Sequence, residues 1–562
     1  MNLATRAEDG AADARALAPD LAAPRGTARP PLLVVGAVAL ALAVGVWFRF
    51  WTRSHLWLDE ALTVHIASLP LRRIPAALRH DGAPPLYYFM LHGWMRLVGS
   101  TSAFAARSLG GLLSVASLPV MWFAGRRLAI DTGLGDTEAR DPVEGTGSPS
   151  WHSRMGPPAM LAWVSVVLLA SSPFAIHFAT EARMYSLVVL LVLVGYLALA
   201  AVLRGSGRKA AAAVALAVVS GLLLLAHYWS MYVLGVLGAV LVVKAWRATT
   251  ADRRRDYALA AAAVAAGGVL FLPWVPAFLY QARHTGTPWA EPASFSAMVN
   301  AISEFAGGRS SSGRALGLLF FALAGFGLFG AGLDRVRVEV DLRTRPRGRG
   351  LAIVLAGTLA VAIAIGLLTH GAFAARYTSV VFPAFVLLVA LGTTVFGDPK
   401  VRAGVVGAAV VLGLATSTGN IVTDRTQVAR LIAAARSHGL AQGDVITYCP
   451  DQLGPAGTQV APAGVRQVTF PTFGNGRFVD WVDYGTRNGH ADPVAFADAV
   501  DRMAGPDHAV WIVWAPEYRT FGTLCEQVVQ RMGTLRSPAN QLVASNPIKY
   551  FEHANLVRYP HR

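Results

Sequence analysis

Long apolar runs recur through most of this chain, and they constrain its fold more than any other feature. A helix needs about 20 apolar residues to cross the hydrocarbon core of a bilayer, and counting runs of roughly that length predicts about eleven spans. The sequence therefore predicts a polytopic α-helical membrane protein. The predicted spans are residues 31–50, 104–125, 158–178, 185–203, 210–226, 231–243, 258–280, 315–333, 351–368, 378–396 and 401–415.

Composition and charge agree with a membrane protein. Of the 562 residues 54% are hydrophobic and 15% are charged, whereas about 25% are charged in soluble domains. The net charge of +16 could indicate nucleic acid as a partner. The basic residues instead form short clusters between the spans, which is typical of the cytoplasmic loops of membrane proteins. We therefore expect the membrane as a partner and no nucleic acid. These clusters are residues 126–127, 204–209, 244–255, 335–349 and 400–402.

Three regions follow from this pattern. Residues 1–30 are rich in Ala, Pro, Arg and Asp without apolar periodicity, which predicts a disordered cytoplasmic tail. Residues 31–420 form the membrane domain, with a first outer loop at residues 51–102. Within that loop, residues 86–98 are too short to cross the bilayer and predict an interfacial helix. We therefore expect a multi-pass protein of the cytoplasmic membrane. Its first outer loop, and any active site that this loop forms, would face the outside of the cell.

The remaining residues, 424–562, predict a small extracytoplasmic α/β domain. Strand-like segments at residues 444–449, 465–470 and 508–514 alternate with helical patterns. Both cysteines of the chain, Cys449 and Cys525, lie here. In an oxidising compartment they could form a disulfide, and two free buried cysteines are equally compatible with the sequence.

The first outer loop places charge beside membrane-apolar sequence. Asp59 and Glu60 come shortly after the first span, within the stretch at residues 55–88. A carboxylate pair at the mouth of a span is costly unless it pairs, binds metal or does chemistry, so it predicts a functional site. The alternative is two interfacial acids that only stabilise the start of a short helix.

Other polar residues gather at the same predicted face of the membrane. Carboxylates can act as a general base or hold a divalent cation, and arginines can bind phosphate with two hydrogen bonds. The set therefore predicts a transfer reaction on a lipid-borne anion. Structural alternatives are an ion–dipole pair at a helix start for Glu181 and Arg183, an interfacial position for His227, and a snorkelling side chain for Arg376. The set comprises Asp81, Glu181, Arg183, Tyr185, His227, Tyr228, Arg376 and Tyr377.

Five motifs carry a resemblance to a known superfamily. They are W-L-D-E at residues 57–60, D-G-A-P-P-L-Y-Y at 81–88, F-A-A-R-S-L-G-G-L-L-S-V at 104–115, T-E-A-R-M-Y-S-L at 180–187 and A-R-Y at 375–377. In order and sidedness they resemble the GT-C superfamily of membrane glycosyltransferases. The nearest groups are the bacterial, family 39-type relatives of the protein O-mannosyltransferases and of the lipid A aminoarabinose transferase. The resemblance covers about residues 30–400.

The resemblance implies an inverting glycosyltransferase that moves one sugar, of mannose or arabinose type, from a polyprenyl-phosphate donor. The acceptor would be a glycan, lipid or protein on the outer face of the cytoplasmic membrane. Asp59 would be the general base, Glu60 a supporting acid and Glu181 the acidic residue of the second loop. Arg183 and Arg376, with Tyr377 beside them, would bind the donor phosphate. His227 and Asp81 are candidate ligands for a divalent metal ion, which is the only candidate cofactor.

The sequence also departs from this superfamily in one place. The aminoarabinose transferases carry a Glu-Lys pair before Pro-Pro-Leu, where this chain has Gly82 and Ala83. A competing hypothesis is a transporter or flippase that binds a lipid-linked sugar without chemistry. Transporters of the inverted-repeat kind show broken helices in corresponding positions of two halves. The sequence shows no such repeat and its ionisable residues gather at one face, which favours the enzyme.

Overall fold

The computed structural model describes residues 32–133, 151–204, 207–287, 293–308, 310–334, 337–343, 346–369 and 371–561. The predicted disordered tail, residues 1–30, lies outside the described residues. Apolar helices occupy the chain as far as Val422, and a mixed α/β unit follows.

The helical part begins with one apolar helix and a helical outer loop. The helices, in chain order, are α1 (Leu32–Phe48), α2 (Leu58–Ala67), α3 (Ile74–Asp81), α4 (Leu86–Val98), α5 (Ala103–Asp131), α6 (Trp151–Ser171), α7 (Pro173–Ala179), α8 (Tyr185–Leu203), α9 (Lys209–Ala226), α10 (Ser230–Trp246), α11 (Ala251–Ala266), α12 (Gly268–Phe271), α13 (Val275–His284), α14 (Phe295–Ser303), α15 (Ser311–Phe329), α16 (Pro346–Thr369), α17 (Phe382–Gly392) and α18 (Pro399–Val422). A two-stranded hairpin of β1 (Gly330–Gly332) and β2 (Val338–Val340) follows α15.

The chain is a multi-pass membrane protein. Among the described residues, seven helices are long and apolar enough to cross a membrane, one of them the helical segment Ala251–His284 that comprises α11, α12 and α13, and an eighth span is formed if α6 and α7 are counted as one bent pair. Three shorter apolar helices, Leu32–Phe48, Ser230–Trp246 and Phe382–Val395, lie at the remaining predicted positions. Every predicted span thus coincides with an apolar helix or bent helix pair. A 13-residue helix, α4, also occupies the residues of the predicted interfacial helix, and its position at the interface stays a prediction.

The span predicted at residues 158–178 is bent by 55° between α6 and α7. The break is local in origin, because Pro173 occupies the first turn of α7 and the side chain of Ser172 accepts a hydrogen bond from the Ala175 amide. A proline at that position starts a helix but cannot continue the preceding one. The bent segment ends at Ala179, and Glu181 and Arg183 follow in the short turn between α7 and α8.

The C-terminal part is a five-stranded sheet with helices around it, as the sequence predicts. The sheet order is β4–β3–β5–β7–β6, with β3 parallel to β4 and β5, and β7 antiparallel to β5 and β6. A disulfide joins Cys449, at the end of β3, to Cys525. The elements are α19 (Val428–Ser437), β3 (Val445–Cys449), α20 (Gly454–Val460), β4 (Arg466–Thr469), α21 (Tyr484–Gly489), α22 (Pro493–Ala504), β5 (Val510–Trp514), α23 (Leu524–Leu535), β6 (Asn540–Val543) and β7 (Asn555–Tyr559).

Backbone hydrogen bonds fasten this α/β domain to the outer loops of the helical part. The Trp481 amide donates to the His80 carbonyl at 2.9 Å, and the Asp483 amide donates to the His284 carbonyl at 2.8 Å. The domain therefore lies against the loop that contains α2, α3 and α4, and its side chains reach the residues predicted to form a site.

Candidate active site

The two adjacent carboxylates of α2 have different surroundings. Both lie in the first turn of α2, where the helix dipole favours negative charge. Glu60 is fully buried, and Arg107 donates to it from Nε to Oε1 at 2.7 Å and from Nη2 to Oε2 at 2.5 Å. The Ala182 amide donates to the same Oε1 at 2.9 Å. Glu60 thus joins α2 to α5 and to the turn between α7 and α8, and both of its carboxylate oxygens accept hydrogen bonds.

Asp59 is more accessible than Glu60. Its side chain is 18% exposed and accepts a hydrogen bond from Nη1 of Arg376 at 3.0 Å. Arg376 follows α16 in a short 3₁₀ helix, so this contact joins the first outer loop to a loop more than 300 positions away. The structure therefore brings together the predicted base and one of the predicted phosphate-binding arginines.

Arg183 contacts α2 one helical turn after Asp59, on the same face of the helix. Its Nη1 donates to the hydroxyl of Thr63 at 2.8 Å and to that of Tyr88 at 3.2 Å. Tyr88 in turn donates to the carboxylate of Asp81 at 2.5 Å. Burial raises the pKa of Asp81, and the charge of Arg183 and the hydrogen bond from Tyr88 oppose that rise. Asp81 is thus connected to the predicted phosphate site through one tyrosine.

Glu181 lies beside His177 and Arg425. The Nε2 atom of His177 lies 3.3 Å from Oε1 of Glu181, and Nη1 of Arg425 lies 3.7 Å from the same oxygen. Burial alone would raise the pKa of Glu181, but the His177 hydrogen bond and the Arg425 charge outweigh it and lower the pKa to about 2. Glu181 therefore stays ionised at physiological pH and holds Arg425 next to Glu60.

The rings of His227 and Tyr377 lie against each other, beside Arg376. Their ring centroids are 5.4 Å apart, and the Arg376 guanidinium lies 5.6 Å from the Tyr377 ring. Burial, with the charges of Arg183 and Arg376, lowers the pKa of His227 to about 3. The imidazole is therefore neutral, and its Nδ1 accepts a hydrogen bond from the Trp229 amide at 3.2 Å.

The predicted metal ligands are not part of a larger ligand set. Among the residues that the structure describes, no three His, Cys, Asp or Glu side chains form a group that could hold a metal ion. Asp81 accepts from Tyr88 and His227 accepts from Trp229. Their metal role stays a prediction.

Sequence reasoning missed three charged residues at the site. Arg107 stands in one of the quoted motifs but had no assigned role, and Arg425 falls at the start of the α/β domain. Glu552 comes from a loop before β7, and its Oε1 accepts a hydrogen bond from the Leu58 amide at 3.3 Å. Its Oε2 is buried and has no hydrogen-bond partner in the described part of the chain. For Arg107, the sequence signal is the position of a charged residue within a predicted apolar span.

The departure at Gly82 has a geometric explanation. Gly82 ends α3 with φ of 79°, a left-handed conformation that glycine adopts without the steric penalty of a side chain. A Cβ at this position would lie 2.8 Å from the hydroxyl oxygen of Thr285. A side chain at position 82 would therefore be strained, and the nearest carboxylate in the chain is that of Asp81, one residue earlier.

An apolar groove is lined in part by α4, the helix that also contains Tyr88. Its volume is about 710 Å³, and Phe89, which follows Tyr88 in the chain, is part of its wall. The groove is apolar over most of its surface, with Arg72 and Arg79 at its margin. Its other apolar lining residues include Leu225, Leu270 and Trp274.

Comparison with known proteins identifies the fold. No family model and no curated protein sequence matches the chain. Among solved structures, it is similar to ArnT from Cupriavidus metallidurans in the apo state, with 14% identity, a TM-score of 0.52 and coverage of 93% of this chain and 97% of that one.

Two further structures agree. ArnT from the same organism bound to undecaprenyl phosphate gives 14% identity and a TM-score of 0.50, over 93% of this chain and 98% of that one. The oligosaccharyltransferase of Archaeoglobus fulgidus, in complex with zinc and sulfate, gives 11% identity and a TM-score of 0.50, over 86% of this chain and 68% of that one. The predicted fold class is thus confirmed: this chain has the fold of the GT-C membrane glycosyltransferases.

Proposed function

We propose that this protein is a glycosyltransferase that moves a single sugar from a polyprenyl-phosphate donor to an acceptor hydroxyl on the outer face of the cytoplasmic membrane. The observation that carries the proposal is the contact between Asp59 and Arg376 at 3.0 Å, in a site that also holds Arg183. A carboxylate for the acceptor and cations for the donor phosphate thus lie together. ArnT, with the same fold, has been solved with undecaprenyl phosphate bound, which supports a lipid phosphate as the donor group.

The proposed reaction is a single displacement. The acceptor hydroxyl gives its proton to the Asp59 carboxylate as its oxygen forms a bond to the anomeric carbon of the sugar. The bond from that carbon to the phosphate oxygen breaks, and its electron pair leaves with polyprenyl phosphate. The configuration at the anomeric carbon is therefore inverted.

The arginines act on the leaving group. Guanidinium groups form paired hydrogen bonds with phosphate, so Arg376 and Arg183 stabilise the charge that develops as the donor bond breaks. Donor phosphate would replace Asp59 as the partner of Arg376 and leave Asp59 to contact the acceptor. The apolar groove beside Phe89 is a suitable place for the polyprenyl tail, because its walls are apolar and Arg72 and Arg79 lie at its margin.

Transfer of radiolabelled sugar from a synthetic polyprenyl-phosphate donor tests the proposal. The acceptor is supplied by membranes of a strain that lacks the gene. We expect Asp59→Asn to lower transfer about 10²- to 10⁴-fold while donor binding is retained. Asp498→Asn, which removes a half-buried carboxylate paired with Arg531 in the α/β domain, outside the site, is the matched control. Transfer by Asp59→Asn at the parental rate would refute the general base.

A second measurement separates the enzyme from a transporter. Reconstituted vesicles that move the lipid-linked sugar across the bilayer, with no sugar transferred to any acceptor, would favour the flippase hypothesis. The glycosyltransferase predicts the opposite result, in which sugar leaves the lipid and the lipid is recovered as polyprenyl phosphate.

A further inference from the structure

A second polar cavity lies between the first outer loop and the α/β domain. Its volume is about 490 Å³. One wall is the C-terminal half of α2, with Val64 and His65, and the exposed Ser68 stands at its edge. The opposite wall comes from the α/β domain and includes Gln459 of α20, Gln467 of β4 and Asn475. None of the residues assigned to the transfer reaction lines this cavity.

Hydrogen bonds to His65 hold the two walls together. Nε2 of His65 lies 2.8 Å from the amide nitrogen of Gln459, and Nδ1 lies 2.8 Å from the carbonyl oxygen of Arg477. The amide nitrogen only donates, so Nε2 accepts, and Nδ1 donates to the carbonyl. The ring is therefore neutral, in agreement with burial, which lowers its pKa to about 4. This arrangement gives the cavity a fixed wall without a net charge.

The lining has the chemistry of a carbohydrate site. Carboxamides and hydroxyls both donate and accept hydrogen bonds, as sugar hydroxyls do. Among the described residues that line the cavity none is acidic, and Arg477 is the one cation. Phe478, adjacent to Arg477, is 39% exposed, and its ring centroid is 6.2 Å from that of His65. An exposed aromatic ring offers a face for the apolar side of a sugar ring.

Other ligand classes fit less well. A phosphate group is normally bound by several cations or a cluster of amides, whereas one arginine lies at the edge here. A lipid tail needs apolar walls, and a folded protein partner needs an exposed apolar patch. We propose that this cavity binds a neutral carbohydrate chain and that this chain is the acceptor, so the inference rests on the proposed transferase function.

The cavity lies near Asp59 along α2 but beside a different face of the helix. His65 follows Asp59 by six residues, which corresponds to about 9 Å along the helix axis and about 120° around it, so an acceptor chain that occupies both places passes around α2. The cavity would hold sugar units of the chain behind the hydroxyl that reacts at Asp59. A glycan acceptor would thus contact both the membrane domain and the α/β domain.

Direct binding to the full-length protein in nanodiscs tests the inference. The probes are short neutral oligosaccharides from mannan and from arabinan, titrated by calorimetry without donor. Loss of a hydrogen-bonding side chain should weaken binding about three- to tenfold, so we expect that effect in Asn475→Ala and Gln459→Ala. Gln541→Ala, on the edge strand β6 away from the cavity, is the matched control.

Each outcome decides the inference. Oligosaccharide binding that weakens in both cavity variants and not in Gln541→Ala supports it. No binding of either oligosaccharide by the parent, or equal affinities in all variants, overturns it. Tighter binding of a serine- and threonine-rich peptide than of oligosaccharide, weakened by the same variants, also overturns it and assigns the cavity to a peptide.

The donor reaction is followed in parallel, so the two proposals fail independently. The cavity variants should keep the parental affinity for polyprenyl phosphate, and Gln541→Ala should keep the parental affinity for both ligands. Loss of transfer chemistry with intact oligosaccharide binding would leave the cavity assignment standing without the mechanism. Normal transfer chemistry without oligosaccharide binding would refute the cavity assignment alone.

Discussion

At the scale of single residues, the two adjacent carboxylates of the first outer loop differ in their surroundings, in agreement with a structural role for Glu60 and the proposed catalytic role of Asp59. Glu60 is fully buried with Arg107 on both of its oxygens, while Asp59 keeps partial exposure and a single hydrogen bond from Arg376 in the described structure. Sequence reasoning placed both at a functional site but ranked them only through the family resemblance. The partners that distinguish them, Arg107 and Arg376, are remote in sequence, so no local pattern could identify them.

Glu60→Gln should destabilise the protein. The substitution leaves the buried Arg107 without its charge partner, and breaking a buried pair in this way costs about 3–5 kcal/mol. We expect a clear fall in the thermal unfolding temperature of the detergent-solubilised protein. The double variant Glu60→Leu with Arg107→Leu should regain part of that loss, since no charge is then left unpaired. Lost transfer activity with an unchanged unfolding temperature would instead assign Glu60 to the chemistry.

Glu552 should make stability depend on pH. Burial, with the nearby charges of Asp59 and Glu60, raises the pKa of Glu552 from its ordinary 4.5 to about 8. The folded state therefore favours the protonated form, and this contribution is complete below pH 4.5 and is lost as the pH rises towards 8. Glu552→Gln, which stays neutral, should flatten the unfolding temperature between pH 5 and pH 8 relative to the parent.

Differential scanning fluorimetry of both proteins over that range measures the effect. Other groups titrate in the same range, so the difference between the two curves is the quantity to compare. Asp498→Asn, at a half-buried position paired with Arg531 where the pKa is lowered, should leave the pH dependence of the parent between pH 5 and pH 8 unchanged. Parallel curves for Glu552→Gln and the parent would mean that Glu552 is ionised in the folded protein.

At the scale of elements, local sequence properties predicted most of the architecture. Apolar runs are local, so each predicted span coincides with an apolar helix or bent helix pair, and three of the five strands of the C-terminal sheet were identified. The other two, β6 (Asn540–Val543) and β7 (Asn555–Tyr559), are short and carry polar residues within a stretch without clear alternation. Their pairing with each other and of β7 with β5 depends on the whole sheet, which a local pattern does not reveal.

The disulfide should stabilise the sheet domain. It joins the end of β3 to α23 and encloses a segment with a sequence separation of 76 residues. In the chain-entropy treatment, a loop of that length stabilises the folded state by about 4 kcal/mol. Cys449→Ser with Cys525→Ser should therefore lower the unfolding temperature and expose residues beyond 424 to limited proteolysis. Unchanged protease resistance in the variant would show that packing alone holds the domain.

At the scale of the whole molecule, the candidate site is composite. The Arg425 side chain donates to the carbonyl and the hydroxyl of Thr180 at 3.0 and 2.8 Å. The Glu552 carboxylate accepts a hydrogen bond from the Leu58 amide. The α/β domain is therefore hydrogen-bonded to residues of the candidate site as well as to α3. This arrangement requires the domain and the outer loops to lie on the same side of the membrane.

That requirement gives a topology prediction. Basic clusters mark the cytoplasmic side of membrane proteins, and the cluster at residues 244–255 spans the end of α10 and the start of α11. Alkaline phosphatase folds into an active enzyme only outside the cytoplasm, so a fusion after residue 562 should be active and a fusion after residue 247 inactive. Green fluorescent protein at the same two positions should give the reverse pattern. An inactive phosphatase at the C-terminus would place the α/β domain inside the cell, where a lipid-linked donor of the outer leaflet could not reach Asp59 and Arg376.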